Sequence, residues 1–170
     1  MKKNMLLACV AASLSTGVIT ELAADEYPDF EAYIGAASYV FDDDRDLDEP
    51  LSLEVGVELP MNETMSLEAW LSDYTADQKY SSGELDGQRI NVGALFHLME
   101  GDTRPFISAG ASHLEFETDA GDDHSESLIG FGAGVKQYFD NNVILRGEIL
   151  GMSSFDNEVF DVGARIALGY

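Results

Sequence analysis

From residue 25 onward, hydrophobic and polar residues alternate with a period of two. The clearest segment is 51–59, where Leu and Val occupy the odd positions and Ser, Glu or Gly the even ones. Successive side chains of a β-strand point to opposite faces, so this pattern predicts a strand with one apolar and one polar face. A first strand at about 30–41 alternates poorly and is inferred from its β-rich composition and from the need for an even number of strands. The other strands are predicted around residues 65–72, 89–98, 106–112, 129–136, 143–149 and 162–170.

The connections between these strands alternate in length. Short polar segments at 60–63, 100–103 and 140–142 predict tight turns. The longer polar segments lie between them, at 42–49, 75–86, 117–126 and 152–158. Membrane barrels have short periplasmic turns and longer outer loops. The order therefore predicts an all-β fold, an eight-stranded antiparallel up-and-down transmembrane β-barrel.

The N-terminal segment has the features of a secretory signal peptide. Lys2 and Lys3 form a positive start, residues 5–19 are largely apolar, and Ala23 and Ala24 are small residues that suit cleavage. The stretch is too short and too polar for a membrane-spanning helix, which needs roughly 20 apolar residues. The Leu-Leu-Ala-Cys segment at 6–9 resembles a lipoprotein box, but its apolar run is too short for lipidation. We expect a signal peptide at 1–24 and a barrel domain at 25–170.

Composition excludes several classes of function. The chain has 170 residues, with 45% hydrophobic and 24% charged residues, which is near the globular average. Its 9 Lys and Arg against 32 Asp and Glu give a net charge of −23, so nucleic-acid binding, which needs a basic surface, is not expected. Cys9 is the single cysteine, which excludes an internal disulfide and a cysteine-based zinc site. No cofactor is expected.

Charged residues of both signs share the polar faces of the strands, and glycine indicates which face is inside. Glycine occupies every second position at 130, 132 and 134. On a water-facing strand it would cost order, whereas in a crowded interior it makes room for long side chains. We therefore predict that the apolar faces contact lipid and that the charges form an ionic network inside, where only paired charges are tolerated. The predicted network consists of Glu54, Glu58, Glu68, Arg89, Lys136, Arg146, Glu148 and Arg165.

The segments 41–48, 94–98 leading into 104–110, 132–139 and 145–148, in this order, resemble the small outer-membrane β-barrels similar to the OmpA transmembrane domain. The resemblance implies a cell outer-membrane location in a Gram-negative envelope and a structural or surface-interaction role without catalysis. It also implies contact with lipid and lipopolysaccharide, and recognition of the terminal aromatic, here Tyr170 rather than the commoner Phe, by the barrel-assembly machinery. No counterpart of the peptidoglycan-binding domain of OmpA follows the strands, so a cell-wall tether is not expected. A monomer is expected.

The predicted long loops hold 16 acidic residues against Arg45 and Lys79. One interpretation is a solvated outer rim. The other is divalent-cation binding, because carboxylate oxygens are ligands that calcium prefers. The first loop lacks the glycine and terminal Glu of a helix-loop-helix calcium site, so its candidates are weak. These candidates are Asp42, Asp44, Asp46 and Asp48.

Three further functions are considered. An eight-stranded interior is just filled by side chains, so a narrow ion path along the charged residues stays open as a hypothesis and a wide pore does not. A secreted, soluble lipocalin-like barrel would need the aliphatic face inside, lining a pocket for an apolar ligand. A lipid-modifying enzyme could use His124, Ser125 and Glu126, but adjacent residues rarely hold a catalytic triad.

Other aromatic and imidazole groups have structural interpretations. Trp70 and His97 lie on polar faces and are predicted to fill the interior. Aromatic residues near strand ends suit interfacial girdles. The predicted girdle residues are Tyr39, Phe41, Phe116, Tyr138, Phe139 and Tyr170.

Overall fold

The computed structural model describes residues 30–40, 51–77, 84–118, 123–140, 142–154 and 160–170. These residues form eight strands in one closed barrel, in which each strand pairs antiparallel with its chain neighbours. The predicted fold class is confirmed. The described residues include no helix long and apolar enough to cross a membrane. The strands are β1 (Glu31–Val40), β2 (Leu51–Pro60), β3 (Met65–Asp77), β4 (Glu84–His97), β5 (Thr103–Thr118), β6 (Asp123–Tyr138), β7 (Ile144–Ser154) and β8 (Phe160–Gly169).

The barrel closes between its first and last strands. The register pairs Tyr33 with Gly169 and Val40 with Val162 along β1 and β8. Beyond the last ladder pair, Ala32 and Tyr170 exchange two backbone hydrogen bonds of 3.0 Å. Closure matters because hydrocarbon offers no partner to the unpaired backbone groups of a sheet edge.

Three short connections lie at one end of the barrel, as predicted. In the β2–β3 turn the side-chain oxygen of Asn62 accepts hydrogen bonds of 2.9 Å from the backbone N–H groups of Thr64 and Met65. In the β4–β5 turn Gly101 has φ 111°, a conformation that favours glycine, and in the β6–β7 turn Asn142 has φ 61°. We call this the periplasmic end and the opposite one the outer end.

At the outer end the strands extend further than the sequence predicts. Strand β3 runs to Asp77 and β4 starts at Glu84, within the loop expected at 75–86. Strands β5 and β6 likewise occupy most of the loop expected at 117–126, and β7 reaches Ser154. The predicted loops were too long because these strand ends are rich in polar residues and contain only isolated apolar ones, so the two-residue alternation is weak there. Backbone pairing nevertheless continues, helped by contacts such as the 3.1 Å hydrogen bond from Thr75 to Asp86.

The polarity of the barrel is inverted relative to a soluble protein. Leu53 and Ile166 face outward with 65% and 60% of their surface exposed, whereas Glu54 and Arg146 face inward and are buried. The predicted polarity is confirmed, and the lipocalin-like alternative, which needs the aliphatic face inside, is not supported. The girdle prediction is wrong for Tyr39, which is buried in the interior.

Aromatic side chains fill the interior by lying over glycines of the neighbouring strand. A Cβ atom at Gly56 would lie 2.5 Å from the ring of Trp70, its direct cross-strand partner. The glycines are required here because any larger side chain would displace a ring. The aromatic–glycine pairs are Trp70–Gly56, Tyr39–Gly163, Tyr33–Gly169 and Phe106–Gly134.

Candidate functional site in the barrel interior

Arg146 of β7 is the centre of the interior network. Its guanidinium lies 2.6 Å from the carboxylate of Glu148, 2.8 Å from that of Glu68 and 3.4 Å from that of Glu58. The same group lies 4.7 Å from the ring centroid of Phe106, within cation–π range. A buried cation is tolerated only when it is well paired, and this arrangement brings carboxylates from three strands to one guanidinium.

Toward the outer end, the carboxylate of Glu54 in β2 interacts with several further hydrogen-bond donors. It accepts a hydrogen bond from Arg165 and others from Tyr39 at 2.7 Å and Ser72 at 2.6 Å. Arg89 approaches the same carboxylate at 3.4 Å. Arg165 also lies 3.1 Å from Glu148 in the central group, so the two groups form one connected network.

Toward the periplasmic end, Lys136 of β6 bridges two carboxylates. Its ammonium lies 2.5 Å from Glu58 and 2.8 Å from Glu31. The Glu31 carboxylate also accepts hydrogen bonds from the hydroxyls of Tyr33 and Tyr138, the latter at 2.8 Å. Sequence reasoning missed Glu31 because β1 does not alternate clearly, and it placed Tyr138 at the lipid interface rather than against this interior carboxylate.

Toward the outer end, apolar side chains also face the lumen. Leu114, Leu128 and Met152 face inward from β5, β6 and β7 and are buried. Arg89 lies against this layer, with one guanidinium nitrogen 3.2 Å from the sulfur of Met152 and its charge stacked 3.9 Å from the ring centroid of Tyr39. These buried side chains lie between the ionic network and the outer ends of the strands.

One interior histidine lies next to a hydroxyl and an acid. The Nε2 atom of His97 is 3.2 Å from the Ser66 hydroxyl and 3.6 Å from Glu58. A catalytic triad needs the acid on one ring nitrogen and the hydroxyl on the other. Here both partners face the same nitrogen, and Nδ1 has no hydrogen-bond partner among the described residues. His97 therefore has the geometry of an interior filler, as predicted.

The sequence triad candidate is not assembled either. Residues 123–126, expected in a loop, belong to β6. Ser125 is exposed on the outer surface, whereas Glu126 follows it on the opposite, inward face. The side chain of His124 lies outside the described part of the structure. The two described members point to opposite sides of the wall and cannot act on one substrate.

The structure brings the predicted charged residues together in the interior, where all eight are buried and linked by ion pairs or hydrogen bonds. Within the described ranges, no group of three or more His, Asp or Glu residues could hold a metal ion. The weak calcium candidates Asp42, Asp44, Asp46 and Asp48 lie outside the described residues. The interior ion pairs are Arg89–Glu54, Arg165–Glu54, Arg165–Glu148, Arg146–Glu148, Arg146–Glu68, Arg146–Glu58, Lys136–Glu58 and Lys136–Glu31.

A closed barrel with charges inside and aliphatic side chains outside defines a transmembrane β-barrel. The comparison with protein families agrees: residues 7–170 match the outer membrane protein beta-barrel domain. The chain belongs to this family, and it is a protein of the outer membrane, as the sequence indicates.

Known relatives point the same way. The chain is 30% identical over 105 residues to outer membrane porin F of Pseudomonas fluorescens, a match that covers 58% of this chain and 31% of porin F. Neisserial surface protein A has a similar structure, with a TM-score of 0.71 at 14% identity, over 85% of this chain and 98% of that one. The N-terminal barrel of Pseudomonas aeruginosa OprF gives a TM-score of 0.59 at 16% identity, over 82% and 97% of the two chains. The structural likenesses show the shared fold.

Proposed function

We propose that this protein is a non-catalytic outer-membrane barrel with a structural and surface-interaction role, whose lumen is held shut by the ionic network. The observation that supports this proposal is Arg146, which is buried in the barrel interior and contacts three carboxylates. Small ions pass only when these pairs rearrange. Solutes such as sugars do not pass, because aromatic and ionic side chains fill the section.

Planar-bilayer conductance of the purified protein tests this proposal. We expect the wild-type barrel to stay near the baseline, with rare small openings. Glu148→Gln removes the charge shared by Arg146 and Arg165 and is expected to make small openings more frequent. The matched control is Glu115→Gln on the exposed outer surface, which should leave the record unchanged. A steady wild-type conductance large enough to pass sugars in a vesicle-swelling assay would overturn the proposal.

The absence of catalysis is a separate part of the proposal. It is supported by the separation of Ser125 and Glu126 onto opposite faces and by the geometry at His97. Incubation of the folded protein with lipopolysaccharide, followed by mass spectrometry of lipid A, should show no change in acylation. An acylation change that disappears in Ser125→Ala would contradict this part.

The surface role depends on the outer ends of the strands. One relative by structure, the attachment invasion locus protein Ail of Yersinia pestis, has been solved in complex with the heparin analogue sucrose octasulfate, with a TM-score of 0.60 at 15% identity to this chain. On this chain the described outward side chains beyond the lipid-facing surface of β3–β5 include Asp73, Asp86 and Glu115 and no Lys or Arg. We therefore expect no binding of sucrose octasulfate here, which calorimetry on the folded barrel can check.

Assembly through the terminal residue also belongs to the proposal. Tyr170 follows β8 and exposes 74% of its surface. This position makes its ring available to the barrel-assembly machinery before closure against β1. We expect Tyr170→Ala to lower the amount of protein in the outer membrane, whereas Tyr170→Phe retains it. Equal levels of the two variants would contradict a role for the terminal aromatic.

A further inference from the structure

The lipid-facing apolar surface ends at different heights around the barrel. On five strands it gives way to polar outward residues before the outer end, and these residues are Asp73, Gln88, His113, Ser127 and Ser153. On β8, β1 and β2 it continues to the strand ends, interrupted on β1 by Ser38. We call Val40, Leu51 and Phe160 the apolar rim, and their exposed fractions are 52%, 70% and 58%.

The strand register places apolar and polar outward residues of neighbouring strands side by side near the outer end. Leu53 of β2 pairs with Asp73 of β3, and both face outward. Leu51 lies two residues beyond Leu53 toward the outer end, so β2 remains apolar past the row in which β3 has become acidic. On the other side of the rim, Phe160 of β8 pairs with Ser153 of β7. At the rim the apolar surface therefore extends further toward the outer end than it does on the neighbouring strands β3 and β7.

The strands with polar outer ends are also longer than the strands of the rim. Strands β3 to β6 have 13, 14, 16 and 16 residues, whereas β1, β2, β7 and β8 have 10, 10, 11 and 10. A transmembrane strand needs about 9–11 residues. The four longer strands thus carry extra length at their polar outer ends. We call the outward residues of these ends the polar wall, which includes Asp73, Thr75, Asp86, Gln88, His113, Glu115, Ser125 and Ser127.

At the periplasmic end each of the three turns exposes large apolar side chains, and the exposed fractions are 47% for Met61 in the β2–β3 turn and 48% for Phe139 in the β6–β7 turn. The β4–β5 turn exposes Leu98 and Met99, with exposed fractions of 60% and 62%. In an eight-stranded ring this turn lies across the barrel from the junction of β8 and β1, two of the three strands of the rim. The outer edge of the apolar surface is therefore inclined to the barrel axis and highest at β8–β1–β2, and the turn with the most exposed apolar side chains lies on the other side, at β4–β5.

We propose that the barrel is tilted in the outer membrane, so that outer-leaflet acyl chains cover the apolar rim while the polar wall projects into water. Acyl chains are the occupant because the rim is continuous with the surface that already faces lipid. A tilt brings the rim and the Leu98–Met99 turn into hydrocarbon together, which is favourable for both. It also keeps Asp73 and Asp86 out of hydrocarbon, where charged groups are costly. The polar wall is then the side of the barrel offered to partners.

Fluorescence quenching at single cysteines tests the tilt. On a Cys9→Ser background, Leu51→Cys and Phe160→Cys report on the rim, Thr75→Cys and Ser127→Cys on the wall, and Leu53→Cys on the lipid-facing surface. Each variant is labelled with an environment-sensitive fluorophore and placed in vesicles with lipids brominated in their acyl chains. We expect rim labels to be quenched by the brominated lipid and not by aqueous iodide, as at Leu53→Cys. Wall labels should show the reverse.

Two outcomes would overturn the proposal. Quenching of rim labels by iodide would place the rim above the lipid and the barrel upright. Protection from both quenchers, with rim cysteines that cross-link between molecules, would make the rim an interface between two copies. Heat-modifiable gel mobility shows that each variant is folded, and Leu98→Cys provides an independent reading at the other end, where lipid quenching is expected. The pattern is independent of conduction and should be the same with Glu148→Gln added.

Discussion

The lumen and the lipid-facing surface are built from the same eight strands, yet they impose different demands on the sequence. In the lumen each charge depends on partners from other strands, as at Arg146, and each aromatic ring depends on a glycine across the ladder. On the outside, Leu53, Ile149 and Ile166 expose most of their surface to a uniform apolar solvent. The difference teaches that each interior residue must match particular partner residues. The outer surface needs only to be apolar over the height of the membrane.

The largest effect is expected where a central charge is reversed. Arg146→Glu replaces the partner of three carboxylates with a fourth acid, and we expect the free energy of unfolding to fall by about 3–5 kcal/mol. Urea unfolding in lipid vesicles measures this. The control is Arg104→Glu, a partly exposed residue near the periplasmic end, which should change stability far less. An unchanged midpoint for Arg146→Glu would mean that this residue meets water.

A charge on the lipid-facing surface should come next. Ile166 lies near the middle of β8, and Ile166→Arg is expected to lower the free energy of unfolding by about 2–4 kcal/mol, as for a cation at the bilayer midplane. Thr75→Arg, beyond the apolar surface, should cost little. The same unfolding measurement applies. Equal losses of unfolding free energy at both positions would show that the cost of a charge on the outer surface does not depend on membrane depth.

A smaller effect distinguishes interior from exterior glycines. Gly56→Ala would force a methyl group against the ring of Trp70 and is expected to cost about 1–3 kcal/mol through overpacking. Gly147→Ala points outward, where an added Cβ atom meets nothing within 4 Å, and should be neutral or slightly stabilising. If unfolding midpoints fall equally for both, the aromatic–glycine packing is not the reason for these glycines.

The smallest effect concerns the polar wall. Partial burial, and secondarily the charge of Asp86, raises the pKa of Asp73, which lies beyond the apolar surface. A raised carboxyl pKa means that the folded state holds its proton more tightly, so stability is lost as pH rises through that pKa. Asp73→Asn should therefore raise stability near neutral pH by less than about 1 kcal/mol, with no difference at acidic pH. Unfolding midpoints across pH check this, and a gain that persists at low pH would contradict it.

The sequence predicted the strands more completely than it predicted the interior ionic network. It identified the eight charged residues because they share the polar positions of alternating segments, but it missed Glu31 and the inward position of Tyr39 on β1, where alternation is weak. It also mistook the outer parts of β3 to β6 for loops. Those ends are rich in polar residues and contain only isolated apolar ones, which weakens the alternation, while backbone pairing, which does not depend on side-chain polarity, continues.

The sequence by itself determined the strand count, the closed antiparallel fold and the inward position of the charges. These follow from a two-residue period set by local backbone geometry and from glycines placed where long side chains need room. The tertiary structure alone decided which charges pair, since Glu58 and Arg146 lie 88 residues apart and meet only through register and closure. It also decided the inclined apolar surface, because relative strand height depends on how each strand is aligned with its neighbours.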